Sequence, residues 1–135
     1  MTAPAIQKIL PHYASDNPGV QGNLVRLLSA GSLGGSGHLI IYPVDQGFEH
    51  GPGRSFAVNP AAYDPLYHHR LAIDGGLSAY AAPLGMLERS APVFAGQIPL
   101  ILKMNSGNSL GRSATDPLLA NQALTASIDD ALRLG

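Results

Sequence analysis

Three short apolar runs, residues 39–44, 77–85 and 98–105, alternate with segments that carry helix signals. This alternation constrains the fold more than any other feature of the chain. Asn59-Pro60 and Asp64-Pro65 are successive helix starts ahead of Leu66, Leu71 and Ile73, and Gly75-Gly76 ends that helix. An Asn or Asp side chain caps the free N–H groups of a first turn, and proline fits there because it has no N–H to satisfy. A short helix is expected near 84–90. Asp116-Pro117 opens a last helix, with Leu119, Ala123, Leu124, Ile128 and Leu132 on a 3.6-residue stripe. Strands alternating with helices imply right-handed βαβ crossovers and a parallel sheet, hence an α/β fold. Runs this short, bounded by Gly-rich segments, read as buried strands.

Two helices are expected before the first strand. Residues 4–13 place Ile6, Ile9 and Leu10 on one face; Asn17-Pro18 then opens a helix with Leu24, Leu27 and Leu28, closed by Gly31. "GSLGGSGH" reads as a flexible connection. It is discounted as a phosphate loop, because it precedes a strand and lacks the Lys-Ser/Thr ending. The expected organisation is a helical extension over 1–37 followed by three βα units over 38–135.

Composition narrows the function classes. The chain has 135 residues, 45 % apolar and 13 % charged, which suits one domain with a real core and argues against disorder. A net charge of −1 with no basic run argues against nucleic acid and membrane surfaces as partners. No apolar stretch is long enough to span a bilayer, and the N-terminus lacks a secretory pattern. The absence of cysteine excludes disulfides and thiol nucleophiles and suits a cytoplasmic protein.

Polar chemistry gathers where apolar runs stop. In "HLIIYPVDQGFEHGPGRSF" (38–56) the run ends at Asp45 and is followed by Gln46, Glu49, His50 and Arg54 among glycines. Asp45 can accept from a ligand hydroxyl, Gly47 and Gly51 allow close approach, and His50 works near neutral pH. The alternative is a loop whose Asp and His cap neighbouring backbone groups. Glu49 and Arg54 pair with each other or with a neighbouring subunit; the sequence does not choose. Lys103, one of two lysines, ends "IPLILK", so its ammonium is expected at the mouth of the sheet. There it serves as a Schiff-base nucleophile or an electrostatic clamp, or else snorkels to the surface. His68-His69 lie about 100° apart on a helix, which favours a surface or helix-packing role over a shared metal. "NSGNSLGRS" (105–113) reads as a βα loop, with phosphate contact through Arg112 as the alternative.

"IIYPVDQGFEHGP", "FAVNPAAYDP", "AIDGGLSAYAAPLGML" and "IPLILKMNSGNSL" together resemble class I fructose-bisphosphate aldolases of the archaeal/bacterial, DhnA-like type, over roughly residues 20–135. The resemblance implies a (β/α)8 TIM barrel, here an N-terminal helical extension plus about three βα units. It implies metal-independent, cofactor-free cleavage of fructose 1,6-bisphosphate to dihydroxyacetone phosphate and glyceraldehyde 3-phosphate. Asp45 would contact substrate hydroxyls, His50, Gln46 and Asn105 would line the site, and Lys103 would stabilise charge. The imine-forming lysine belongs to later strands of the family, so this chain is expected to be inactive alone. A homo-oligomer is expected, because a three-strand piece leaves edges and apolar faces open. The rivals are a Schiff-base aldolase or synthase for another sugar phosphate, and an inactive half-barrel serving oligomerisation.

Overall fold

A computed structural model describes residues 2–108 and 121–135. Helix α1 (Pro4–Ile9) runs into a 3₁₀ turn (Leu10–Tyr13), and α2 (Pro18–Ser29) follows. Asn17 caps α2 by accepting from the Val20 N–H at 3.0 Å. Strand β1 (Ile41–Pro43) leads into two short helices, α3 (Gln46–Glu49) and α4 (Pro52–Phe56). A second 3₁₀ turn (Pro60–Tyr63) and α5 (Pro65–Asp74) precede β2 (Ala79–Pro83), and α6 (Leu84–Ser90) precedes β3 (Leu100–Lys103). Strands β4 (Asn105–Asn108) and β5 (Asn121–Leu124) pair antiparallel, and α7 (Ile128–Leu134) closes the chain.

The main sheet has the order β1-β2-β3 and is parallel throughout. Its register aligns Tyr42 with Tyr80, Tyr80 with Leu100, and Ala82 with Leu102. These residues share one face because side chains alternate along a strand. They pack with Val44, Ala72 of α5, Leu87 of α6 and Ile98 into the core. The other face carries Ile41, Pro43, Ala79, Ala81, Pro83, Ile101 and Lys103. One face is thus built for helix packing, and the other ends in a charge.

Several expectations need correction. The run 39–44 is not a buried strand: Leu39, Ile40 and Ile41 are 37 %, 50 % and 41 % exposed. β1 pairs only with β2 among the described residues, so it is an edge strand. The loop after Asp45 is largely helical, as α3 and α4. "GSLGGSGH" is a fixed set of turns, held by Gly35 N–H donating to Leu28 at 2.8 Å and Ser36 N–H donating to Leu33 at 3.0 Å. The run 98–105 breaks at Met104, and Asn105 starts the hairpin instead. Ala123 and Leu124 lie on β5 rather than on a last helix. That helix starts later, where Ser127 and Asp130 form a reciprocal capping box. Its stripe is not a buried face, since Ile128 is 69 % and Leu132 is 74 % exposed. The Asp116-Pro117 helix start, Leu119 and Arg112 lie outside the described residues.

The N-terminal segment docks on the α5–β2 turn through two glycines in the left-handed region, Gly31 (φ 70°) and Gly76 (φ 61°). Ser32 N–H donates to the Gly76 carbonyl at 2.7 Å. A Cβ on Gly31 would fall onto the Gly76 carbonyl oxygen and 2.6 Å from that of Leu77. Gly31→Ala is therefore expected to cost more than about 1 kcal/mol in urea unfolding. Gly22, inside α2 with open space around it, makes the contrast. Gly22→Ala is expected to stabilise by about 0.5–1 kcal/mol, because glycine weakens a helix interior. Equal effects would contradict the docking.

Candidate active site

The backbone of β1 and β3 brings two distant residues together. Continuing the β1–β2 register by two residues sets Asp45 level with Pro83, which in turn is level with Lys103. Adjacent parallel strands lie about 4.8 Å apart, so about 10 Å separates the backbones carrying the two charges. Only the short ring of Pro83 stands between them. The four-carbon stem of Lys103 crosses it, and the Nζ donates to Asp45 Oδ2 and, at 3.2 Å, to Glu49 Oε2. The three side chains are 26–34 % exposed, partly screened from water and still open to a ligand.

Burial pushes the Asp45 carboxyl up. The Lys103 hydrogen bond and charge more than reverse this and leave it below the usual carboxylate range. Burial alone would lower Lys103. The hydrogen bonds and charges of Asp45 and Glu49 outweigh it and hold the ammonium above the ordinary lysine range. At neutral pH the cluster is an ionised carboxylate beside a firmly protonated amine.

The other sequence candidates divide. Gln46 is exposed, and its side-chain oxygen accepts from the Asp45 N–H at 3.1 Å. His50 is half-buried just past α3, its N–H closing that helix on the Gln46 carbonyl at 2.8 Å. Asn105 is exposed on β4, which lies beside α3. Glu49 was not singled out as a partner of Lys103. The signal was present in its spacing, since Asp45 and Glu49 stand at i and i+4 of one turn.

His68 and His69 are buried packing residues behind the sheet. His68 Nε2 donates to the Ala62 carbonyl at 2.8 Å, which leaves Nδ1 to accept from the Tyr42 hydroxyl at 3.4 Å. Ser90 Oγ donates to the Met86 carbonyl, so it accepts from His69 Nδ1–H at 2.9 Å. His69 Nε2 is then an unprotonated nitrogen with no partner among the described residues. Burial pushes this imidazole below the ordinary histidine range. The unfolded chain therefore binds a proton that the folded chain resists. Stability is expected to fall as pH drops from about 6.5 toward the lowered folded value. Urea midpoints at pH 7.5 and 5.5 check this: the difference is expected to shrink in His69→Gln, and an unchanged difference would contradict it.

Comparison with known proteins gives one consistent result. Residues 39–135 match the DeoC/LacD family aldolase profile. A probable fructose-bisphosphate aldolase class 1 from Chlamydia trachomatis is 40 % identical over 119 residues, covering 88 % of this chain and 33 % of that protein. The fructose-bisphosphate aldolase class 1 of Thermoproteus tenax is 35 % identical over 99 residues, 73 % of this chain and 34 % of that protein. This chain thus spans about a third of the length of these relatives. Among solved structures, a Schiff-base-forming fructose-1,6-bisphosphate aldolase superposes with a TM-score of 0.63 at 33 % identity. The match covers 82 % of this chain and 40 % of that one. An archaeal fructose-1,6-bisphosphate aldolase, its catalytic lysine bound to the carbinolamine intermediate of the substrate, gives a TM-score of 0.62.

Proposed function

Because the chain belongs to the DeoC/LacD aldolase family, we propose that it carries one edge of a class I fructose-bisphosphate aldolase site. Its fold is a partial (β/α)8 barrel, matching about 40 % of the solved aldolases. Active sites of this fold lie at the C-terminal ends of the strands, where Asp45 and Lys103 sit. The single observation that carries the proposal is the Lys103 ammonium held between Asp45 and Glu49 at that face. Residues 1–37 would then be the helical extension, and 38–135 the first βα units.

The roles follow from charge state. Aldol cleavage of a sugar phosphate removes a proton from a hydroxyl and leaves negative charge to be taken up. Asp45 stays ionised and suits accepting from a substrate hydroxyl. Lys103 suits stabilising negative charge on substrate oxygens. It is a poor imine former, because a Schiff-base nucleophile must be an unprotonated amine and Lys103 is held as the cation. His50, Gln46 and Asn105 surround the cluster and are proposed as substrate contacts.

Two readouts test this. Dihydroxyacetone phosphate added to ¹⁵N-labelled protein is expected to shift the amide signals of residues 45–50 and 103–105, and Lys103→Met is expected to abolish the shifts. Borohydride added with the triose phosphate is expected to leave Lys103 unmodified by intact and peptide mass. No shift near the cluster at millimolar ligand would contradict the site. A reduced triose adduct on Lys103 would make it the nucleophile instead.

A further inference from the structure

Lys103 meets two carboxylates, and only Asp45 belongs to a strand end. Glu49 is the last residue of α3, four positions on. Positions i and i+4 share a helix face, so both carboxylates approach one Nζ. Two like charges at this spacing repel, and the shared ammonium offsets the repulsion.

The turn carrying Glu49 is tightly fixed. The Glu49 N–H donates to the Asp45 carbonyl at 2.9 Å. Ser55 Oγ, from α4, donates to the Gln46 carbonyl at 3.0 Å. A Cβ on Gly47 would stand 2.7 Å from the Phe56 ring, so α3 lies directly against α4. Gly51, with φ 84°, turns the chain between the two helices. The Glu49 carboxylate is thereby held toward β3 by packing that is independent of Lys103.

Resting on the reading above, we propose that Glu49 is a positioning residue that holds the Lys103 ammonium at the strand ends while Asp45 is engaged by a substrate hydroxyl. A hydroxyl that bonds Asp45 competes with Lys103 for the same carboxylate. With Asp45 as its single anchor, the flexible lysine stem would release its head to water. With Glu49 at 3.2 Å, the ammonium keeps a partner and stays facing the substrate. The Asp45 carboxylate can then change partners without moving the cation.

The chain has two lysines, Lys8 and Lys103, which makes the test direct. Reductive methylation with ¹³C-formaldehyde gives separate NMR signals for the two, assigned with Lys8→Arg. In free protein, Glu49→Gln is expected to lower the Lys103 midpoint by about one pH unit and leave Lys8 unmoved; Glu49→Asp is expected to restore part of the shift. A Lys103 midpoint that ignores Glu49→Gln yet falls with Asp45→Asn would overturn the proposal. Unmutated protein saturated with dihydroxyacetone phosphate gives a second measurement, free of any folding defect. There the Lys103 midpoint is expected to stay above the ordinary lysine range, and a fall into or below that range would overturn the proposal. If the triose phosphate moves neither signal, the aldolase reading fails, and Glu49→Gln in the free protein still decides the role of Glu49.

Discussion

The structure turns on one lysine reaching across a proline. Lys103 and Asp45 sit two strands apart, and the intervening position is Pro83, which ends β2 at the same level. A larger side chain there would lie in the path of the lysine stem. The bridge joins the ends of β1 and β3, strands that share no backbone hydrogen bonds with each other. It also fixes both charge states: the cation holds Asp45 low, and the two carboxylates hold Lys103 high. A preset pair of opposite charges at the strand ends is useful to a ligand with both hydroxyls and anionic oxygens.

The rest of the fold makes that reach possible by dividing the sheet into two faces. Tyr42, Val44, Tyr80, Ala82, Leu100 and Leu102 face the helices and form the core with Ala72 and Leu87. The opposite parity carries small residues toward the strand ends, Ala81 and Pro83, which leave room above the sheet. Behind the core, His69 on α5 is tied to Ser90 on α6, fixing the two covering helices to each other. The N-terminal segment is fastened separately, by the Gly31–Gly76 approach. The charged cluster is therefore carried by a sheet whose supports do not depend on it.

Much of this was legible in the sequence. Strand–helix alternation gave the parallel sheet, and Asn17 and Asp64 cap the helices they were expected to start. Asp45 and Lys103 stood out because each ends an apolar run with a charge. What was not legible depended on three-dimensional neighbours. The exposure of Ile40 and Ile41 reflects the position of β1 at a sheet edge, which an apolar run does not encode. Ala123 and Leu124 fit a helical stripe but pair instead with Asn105 and Ser106, a tertiary contact that outweighs periodicity. The glycines after Asp45 suggested a loop, yet Gly47 is there because Phe56 leaves no space for a side chain. Glu49 reads from the sequence as a partner of Arg54 or of a neighbouring subunit, because its spacing from Asp45 does not say which cation the two carboxylates share.

Asp45 and Lys103 are coupled in the resting protein. A double-mutant cycle measures that coupling most directly. Urea unfolding at pH 7 of the parent, Asp45→Asn, Lys103→Met and the double variant gives the interaction energy as the departure from additivity. With both groups about a quarter exposed, solvent screening limits the pair. A favourable coupling of about 0.5–1 kcal/mol is expected. Additive losses, with no coupling beyond experimental error, would mean that the two charges do not meet across Pro83, and the site built on that meeting would have no basis.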